Sequence, residues 1–227
     1  MRRLILLALF WLCAASTAVA QDVQKLVQDL ERIEQANGNL NLILWMPREY
    51  WETVLKARGA ITPEKQKEFV SLIDKYLVFA VVSAKIGPLG SINGASREEL
   101  MAKVSILTDG QKFVPIVDTE LPVDVQNLLR VMKPMMASML GQFGQSMEFF
   151  VFKGKDAKGK RYADPMQAGM LNFNIAEKSY HWRLPLGCFL PTKYDAATGE
   201  DFPGNYDYSP YTGTRLVSTK PGGESKH

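Results

Sequence analysis

The segment Leu77-Val78-Phe79-Ala80-Val81-Val82-Ser83-Ala84 decides the fold. It contains one polar side chain, and its β-branched and aromatic residues favour an extended backbone. The run is far too short to cross a hydrocarbon layer of about 30 Å. A short apolar run of this kind predicts a buried strand in the centre of a sheet. We therefore expect the rest of the domain to be built around it.

Helix and strand signals alternate on the N-terminal side of this run. Apolar residues recur at helical spacing before Asn37-Gly38, which predicts an amphipathic helix over residues 22–36 with a left-handed C-cap. Leu40–Met46 is predicted to be a buried strand, and a short helix that carries Trp51 follows it. Thr62-Pro63-Glu64 combines an N-cap, a first-turn proline and an acidic residue, which predicts the start of another helix.

Two β-hairpins are predicted after the central strand. Asp109-Gly110 is the strongest short-range hairpin signal in the chain. The second of the strands that it joins contains Pro115 and should lie at a sheet edge. Apolar and polar residues alternate over 171–175 and 180–184, which predicts a hairpin with one face in water.

One short helix is predicted before the first hairpin, and a longer helix and one strand are predicted between the two hairpins. Ser96 and Glu99 form the pattern of a capping box and indicate a short helix. Residues 124–143 are predicted to be helical with a break at Pro134. Residues 147–152 are apolar on both faces and should form a buried strand.

The start of the chain predicts export. Arg2-Arg3 precedes a leucine-rich run, and Ala18-Val19-Ala20 supplies the small side chains that a leader peptidase needs. The mature protein should therefore begin at Gln21 and work in the periplasm or outside the cell. Bulky residues before Cys13 make a lipid anchor the weaker interpretation. Cleavage would leave Cys188 as the only thiol, which excludes an internal disulfide and a Cys-based metal cage.

The composition indicates a protein with a buried core but does not indicate a particular class of partner. Without Arg2-Arg3 the chain has 25 basic and 24 acidic residues, and 46% of all residues are hydrophobic. Such a chain can bury a core without disulfides, and its net charge attracts no particular class of ligand. The expected organisation is α+β: a signal peptide, a domain with a mixed or antiparallel sheet and flanking helices, a small β module and a disordered tail, over residues 1–20, 21–184, 185–216 and 217–227.

Two similar turns lie near the C-terminus. Tyr194–Gly199 and Tyr208–Gly213 share the pattern Tyr-x-x-x-Thr-Gly. The pair resembles a zinc ribbon, in which two Cys-x-x-Cys-Gly knuckles hold one metal ion. Carboxylate and hydroxyl side chains stand at the cysteine places, so the resemblance implies a ribbon without metal or other cofactor. Hydrogen bonds and glycines with positive φ can hold such turns; the residues concerned are Asp195, Thr198, Gly199, Ser209, Thr212 and Gly213.

The aromatic residues around these turns have two interpretations. They are expected to supply the small core of the module, and carbohydrate binding is the functional alternative. The residues are Tyr194, Phe202, Tyr206, Tyr208 and Tyr211. With the Leu184–Gly187 segment and the Met-rich helix described next, the module resembles a group of exported bacterial proteins. That resemblance implies a bacterial origin and no particular chemistry.

A methionine-rich segment is the leading candidate for a functional surface. Met132, Met135, Met136 and Met139 have the spacing of one helix face, and Phe143 lies one turn farther. Such a face suits an envelope protein partner or an apolar ligand. Copper(I) is the alternative, but no His or Cys lies nearby in the sequence to complete a site.

A basic loop is a second candidate surface. It contains Lys153, Lys155, Lys158, Lys160 and Arg161. An exported protein could use it to contact anionic lipid or a cell-wall polymer, whereas nucleic acid is excluded as a partner. The alternative is that the loop is simply solvated.

Signals for catalysis are weak. His181 and Cys188 have no flanking motif that would make them a base and a nucleophile. Two groups of carboxylates could act on glycosides if they converge: Asp118, Glu120 and Asp124 in one group, and Glu200 and Asp201 in the other. The sequence therefore favours a non-enzymatic binding protein of the cell envelope, and the alternative is a hydrolase that acts on an envelope polymer with paired carboxylates.

Overall fold

The computed structural model describes residues 23–58 and 62–221. The predicted export signal, Cys13 and the last residues of the predicted tail lie outside this part of the chain. The described residues form an α+β fold with antiparallel sheets and flanking helices, as predicted. They divide into two compact units: residues 23–102 with 115–154, and residues 103–114 with 155–221. The domain boundary predicted near Leu184 stays a prediction.

Helices and strands are numbered in chain order. Helices α1 to α5 comprise residues 23–30, Arg48–Arg58, Pro63–Ile73, Arg97–Met101 and Val123–Met139. Strands β1 to β7 are Glu31–Ala36, Asn39–Trp45, Tyr76–Ile86, Ile92–Gly94, Val104–Thr108, Gln111–Phe113 and Met147–Lys153. Strands β8 to β11 are Gly169–Ile175, Lys178–Leu184, Lys193–Tyr194 and Asp201–Phe202. No helix in this part of the chain is long and apolar enough to cross a membrane.

Strand β3 lies at the centre of the five-stranded antiparallel sheet of the first unit. It contains the segment Leu77–Ala84, of which Leu77–Val82 is at most 3% exposed. Strand β2 pairs along one edge of β3, with β1 beyond it, and β7 and β4 pair along the other edge. The prediction of a buried central strand is confirmed.

The predicted helix over residues 22–36 is wrong in its second half. Helix α1 ends at residue 30, and Glu31–Ala36 forms β1, which pairs with β2. Asn37 has φ 52° and Gly38 has φ 73°. Two successive residues with positive φ are typical of a two-residue hairpin loop, so this dipeptide connects strands and does not cap a helix. Pairing with β2 overrides the helical spacing of the apolar residues.

The second unit contains a four-stranded antiparallel sheet with the order β6-β5-β8-β9. Both predicted hairpins are confirmed, with Asp109 and Gly110 at φ 48° and 74° in the β5–β6 turn. Strand β6 lies at the edge, as predicted, but the prediction that it contains Pro115 is wrong: the strand ends at Phe113, because proline has no N–H to donate to the ladder. Ile106, Phe173 and Trp182 are fully buried on one face of this sheet.

Pro134 does not break the helix as predicted. Helix α5 runs without interruption from Val123 to Met139 and ends before Gly141, which has φ 56°. A glycine in the left-handed region is a common way to end a helix. Pro134 is exposed, so water can hydrogen-bond to the carbonyl that the missing N–H leaves without a partner.

Both predicted helix starts are confirmed. Thr62 accepts a hydrogen bond from the Lys65 backbone at the start of α3. Ser96 and Glu99 form a complete capping box at the start of α4. The second cap also fixes the direction of Arg97, the first residue of α4, which belongs to the cleft described below.

Candidate functional site

The residues of the predicted methionine surface do not all lie on one face of the structure. Met132 is 4% exposed and belongs to the core. Met135 and Met139 are 46% and 70% exposed, whereas Met136 and Phe143 are half-buried. The structure therefore does not bring all five side chains to one exposed surface.

A shorter apolar surface remains on the outer face of α5. Val131, Met135 and Met139 follow one another at intervals of four residues, and Val131 is 73% exposed. Side chains at this spacing lie along the same face of a helix. We call these three residues the α5 strip. Val131 was not among the predicted surface residues, although its spacing from Met135 could have identified it.

A cleft of about 220 Å³ lies along another side of α5, within the first unit. Leu121, Leu129 and Phe149 form part of its wall, and the charged side chains of Arg97, Asp118, Arg130, Lys133 and Glu148 line the rest together with Gln126. Arg97 Nε donates to Asp118 Oδ2 at 3.1 Å, and its Nη2 donates to the other carboxylate oxygen. Arg97 Nη1 donates to the Phe149 carbonyl at 2.6 Å. Arg97 thus connects α4 to the outer edge of β7.

Both carboxylates of the cleft are ion-paired. Asp118 pairs with Arg97, and Glu148 Oε1 lies 2.5 Å from Lys133 Nζ. Acid–base cleavage of a glycoside needs one carboxylic acid that keeps its proton until it donates it. Here both carboxylates accept hydrogen bonds from cationic side chains, so the geometry of the cleft does not favour that chemistry.

The structure separates the acidic residues that the sequence grouped. Asp118 lines the cleft, whereas Glu120 and Asp124 are exposed and do not. Glu148 on β7 is the second acidic residue that lines the cleft, and it was not predicted from the sequence. Glu200 and Asp201 are exposed in the second unit.

Arg130 is the one cleft cation with no ion-pair partner among the described residues. It is exposed and lies between the cleft and the α5 strip, because each residue advances the helix by about 100°. No acidic residue occurs between Asp124 and Glu148 in the sequence. The outer face of α5 beyond Asp124 is therefore apolar with a cationic border.

The two turns of the C-terminal module have the same hydrogen-bond pattern. Asp195 Oδ1 accepts from the backbone N–H groups two and three residues later, at 2.8 and 3.2 Å. Ser209 Oγ accepts from the corresponding N–H groups at 3.4 and 3.3 Å. Gly199 and Gly213 both have φ 71°, and each donates at 2.9 Å to the carbonyl at the start of its turn. The predicted turn residues therefore hold two equivalent tight turns.

The Asp195 carboxylate joins one turn to the other. Its Oδ2 accepts from the hydroxyls of Thr212 and Thr214 at 2.8 and 2.9 Å. Asp195 and Ser209 are only 1% and 3% exposed. The Ala197 N–H and the two threonine hydroxyls lower the pKa of Asp195 from 3.8 to about 2.

Among the residues that the structure describes, the usual metal-ligating side chains do not form a cluster. Nowhere among them do three or more His, Cys, Asp or Glu side chains converge. In the paired turns the carboxylate of Asp195 already accepts four hydrogen bonds, and the other side chains at cysteine places are hydroxyls. This donor set does not fit zinc, which requires Cys or His ligands in a structural site.

The charge of Asp195 should make the paired turns sensitive to acid. Because the folded-state pKa is about 2 and the ordinary value is 3.8, the stabilisation is complete above about pH 4 and is lost as the pH falls towards 2. We expect amide hydrogen exchange at Ala197, Thr198 and Thr212 to accelerate, relative to intrinsic rates, over this interval. The variant Asp195→Asn keeps the shape without the charge and should lose most of this pH dependence. An equal acid response in both proteins would contradict the assignment.

The aromatic residues of the module do not form the predicted core. Phe202 is buried and Tyr194 is half-buried, but Tyr206, Tyr208 and Tyr211 are 43%, 60% and 77% exposed. The prediction is wrong for these three tyrosines. Two short strands enclose too little volume for five large rings, and hydrogen bonds at Asp195 hold the turns together instead.

The basic loop is an ordered turn around Asp156, whose Oδ1 accepts from the backbone N–H groups of Lys158 and Lys160 at 2.8 and 2.9 Å. The side chains of these two lysines are exposed, whereas those of Lys155 and Arg161 are half-buried. Lys153 is exposed at the end of β7 in the other unit. Binding of anionic lipid by this loop stays a prediction.

His181 and Cys188, the pair without a flanking catalytic motif in the sequence, lie in different local settings. His181 Nδ1 lies 2.6 Å from Asn172 Oδ1 on the exposed face of the β8–β9 pair. Cys188 is half-buried in a 3₁₀ turn, Gly187–Phe189. His227 lies outside the described residues.

No family model matches the chain, and neither a characterised protein nor a solved structure matches it.

Proposed function

We propose that this chain is an exported, non-enzymatic interaction protein of the cell envelope that docks an acidic, amphipathic segment of a protein partner on α5. The α5 strip carries this proposal, because Val131, Met135 and Met139 place three apolar side chains in water along one helix face. The leader-like start of the sequence supports export.

The chemistry of the strip indicates what kind of segment fits. Methionine side chains adapt to differently shaped apolar partners, so a strip with two of them suits a helix-in-groove or helix-on-helix contact. Arg130 borders the strip and has no ion-pair partner among the described residues. A partner that carries a carboxylate beside its apolar residues would satisfy both features.

The free energy gained by burying the α5 strip predicts a weak complex if the strip acts alone. Full burial of one such side chain contributes about 1.5–3 kcal/mol, and these three are between half and three-quarters exposed. Their combined contribution, roughly 3–5 kcal/mol, barely offsets the cost of association, about 4 kcal/mol or more. The ion pair with Arg130 should therefore add specificity and a faster association rate.

Site-specific photo-crosslinking tests the proposal. A photoreactive amino acid at Ser138, which is exposed between Met135 and Met139, should crosslink one protein in producing cells. Peptide sequencing of the adduct should identify an acidic segment with apolar residues at helical spacing. A synthetic copy of that segment should bind the purified protein, and Met135→Lys with Met139→Lys should weaken binding at least tenfold, which corresponds to about 1.4 kcal/mol.

Two further variants complete the test. Arg130→Glu should lower the affinity for the peptide and slow its association. Met166→Lys should have no effect on either; it is a matched change at a 59% exposed methionine in the second unit. Adducts with lipid or a small apolar molecule alone would overturn the proposal. Peptide binding that survives the double substitution at Met135 and Met139 would also overturn it.

A further inference from the structure

Two exposed tyrosines of the C-terminal module lie beside one buried ring. Phe202 is 6% exposed, and the ring centres of Tyr206 and Tyr211 lie 6.5 and 6.1 Å from its centre. The Tyr206 ring is inclined by 24° to that of Phe202, and the Tyr211 ring by 49°. Tyr208, also exposed, lies between them in the sequence. We call Phe202, Tyr206 and Tyr211 the tyrosine platform.

The outer rings of the platform are not needed to hold the module together. The two turns are joined by the hydrogen bonds of Asp195 with Thr212 and Thr214. Tyr211 leaves 77% of its surface in water, so its contact with Phe202 contributes little burial. The exposed faces of Tyr206 and Tyr211 are therefore available to a ligand.

Charged side chains border the platform beside Tyr206. Lys193 Nζ donates to the Tyr206 carbonyl at 2.8 Å and to Asp207 Oδ1 at 3.1 Å. Arg183 Nη2 lies 3.6 Å from Asp207 Oδ2. The hydrogen bond and charge of Lys193 lower the pKa of Asp207. Donors and an acceptor thus lie at fixed positions next to an aromatic surface.

The size of the exposed surface distinguishes two classes of ligand. On a scale of 150–250 Å² per aromatic side chain, the two exposed tyrosines of the platform offer roughly 180–300 Å². One side of a stable protein interface needs about 800 Å². The exposed surface of the platform is therefore about a quarter to a third of one side of a protein interface, but it is sufficient for one or two sugar rings.

We infer that the tyrosine platform binds a saccharide chain. The apolar C–H face of one pyranose ring lies on Tyr211 and that of another on Tyr206, while ring hydroxyls hydrogen-bond to Asp207 and Arg183. Tyrosine suits this contact because it offers a rigid apolar face with a polar edge and loses little conformational entropy on binding. The inference is independent of the α5 strip, since every residue of the platform lies in the second unit.

Isothermal titration of the full chain with two defined probes tests the inference. Chitotetraose is neutral, and tetragalacturonate carries one carboxylate on each ring. At least one should bind in the millimolar range or tighter. Preference for tetragalacturonate would assign an acidic polymer through Arg183 and Lys193, and preference for chitotetraose would assign a neutral one. Absence of heat and of saturation-transfer NMR signals with both probes at 10-fold molar excess over roughly 1 mM protein would overturn the inference.

Variants separate stacking from a general loss of structure. Tyr211→Ser removes the most exposed ring and should weaken binding about tenfold, whereas Tyr211→Phe keeps the ring and should retain most of the affinity. Asp207→Asn should weaken binding without unfolding the module, because its ion pairs are largely exposed. Met166→Ala serves as the matched control elsewhere in the second unit. Equal affinity in Tyr211→Ser and the wild-type protein would overturn the inference.

Discussion

The quadruple variant Asp195→Cys, Thr198→Cys, Ser209→Cys and Thr212→Cys should bind one zinc ion per chain. Each turn already has the hydrogen-bond pattern in which backbone N–H groups point at the side chain of its first residue. Thr212 already contacts Asp195 across the turns. Thiolates at these positions would therefore have oriented N–H donors around them, as structural zinc sites require.

The expected affinity is large enough for a clear result. Natural structural zinc sites supply about 10–16 kcal/mol of binding free energy. An engineered site with less exact geometry should still reach about 8 kcal/mol, which corresponds to a Kd of 1 µM. Zinc at 100 times the Kd should then raise the free energy of unfolding of the variant by about 2.7 kcal/mol. Competition with a chromophoric chelator under reducing conditions measures the Kd, and urea unfolding measures the stabilisation.

The control keeps one turn unchanged. The double variant Asp195→Cys with Thr198→Cys supplies two thiolates and should bind zinc much more weakly, and the wild-type protein should retain none after treatment with chelator. Cys188 is present in all three proteins and cancels in the comparison. A folded quadruple variant without stoichiometric zinc would show that the four side chains do not converge, and the resemblance to a zinc ribbon would then have no structural basis.

The central strand and the later hairpins were predictable because local and long-range signals agree there. Leu77–Val82 has strand propensity and an apolar pattern that suits burial on both faces. Asn37-Gly38 was assigned wrongly because the same dipeptide can end a helix or connect two strands. Only pairing of β1 with β2 distinguishes these structures, and the sequence on one side of the turn does not reveal it.

Helix α5 shows how tertiary context changes a local rule. Proline in a helix interior costs about 3 kcal/mol in general, which led to the prediction of a break. Pro134 is exposed, and the burial of Val125, Leu129 and Met132 fixes the part of the helix that precedes it. The same packing explains why Met132 belongs to the core while Met135 and Met139 do not.

The candidate sites depend on contacts between residues far apart in the sequence. Arg97 reaches the Phe149 carbonyl, and Asp195 meets Thr212, across separations of 52 and 17 residues. No periodicity within a single segment encodes such contacts. The exposed tyrosines were predictable only as a group, because whether Tyr206, Tyr208 and Tyr211 pack inside or outside depends on the volume that the module encloses.

The variant Phe79→Ala should lower the free energy of unfolding of the first unit by about 3–5 kcal/mol. Phe79 is fully buried in β3, with its ring centre 6.5 Å from that of Trp45 and 5.7 Å from that of Phe152. Truncation removes apolar contacts from both neighbouring strands and leaves a cavity that rigid strands cannot close. The sheet fixes all three rings, because β3 pairs with β2 and β7.

Urea unfolding followed by tryptophan fluorescence measures this loss, since Trp45 and Trp51 are buried in the first unit. The midpoint should fall strongly with an unchanged slope, because the surface exposed on unfolding stays nearly the same. Val131→Ala, on the exposed α5 strip, should change stability by less than about 0.5 kcal/mol. A loss below about 1 kcal/mol in Phe79→Ala would mean that the segment Leu77–Ala84 is not the centre of the core. Since domains of this size have only about 5–15 kcal/mol of stability in total, this one ring contributes a fifth or more of it.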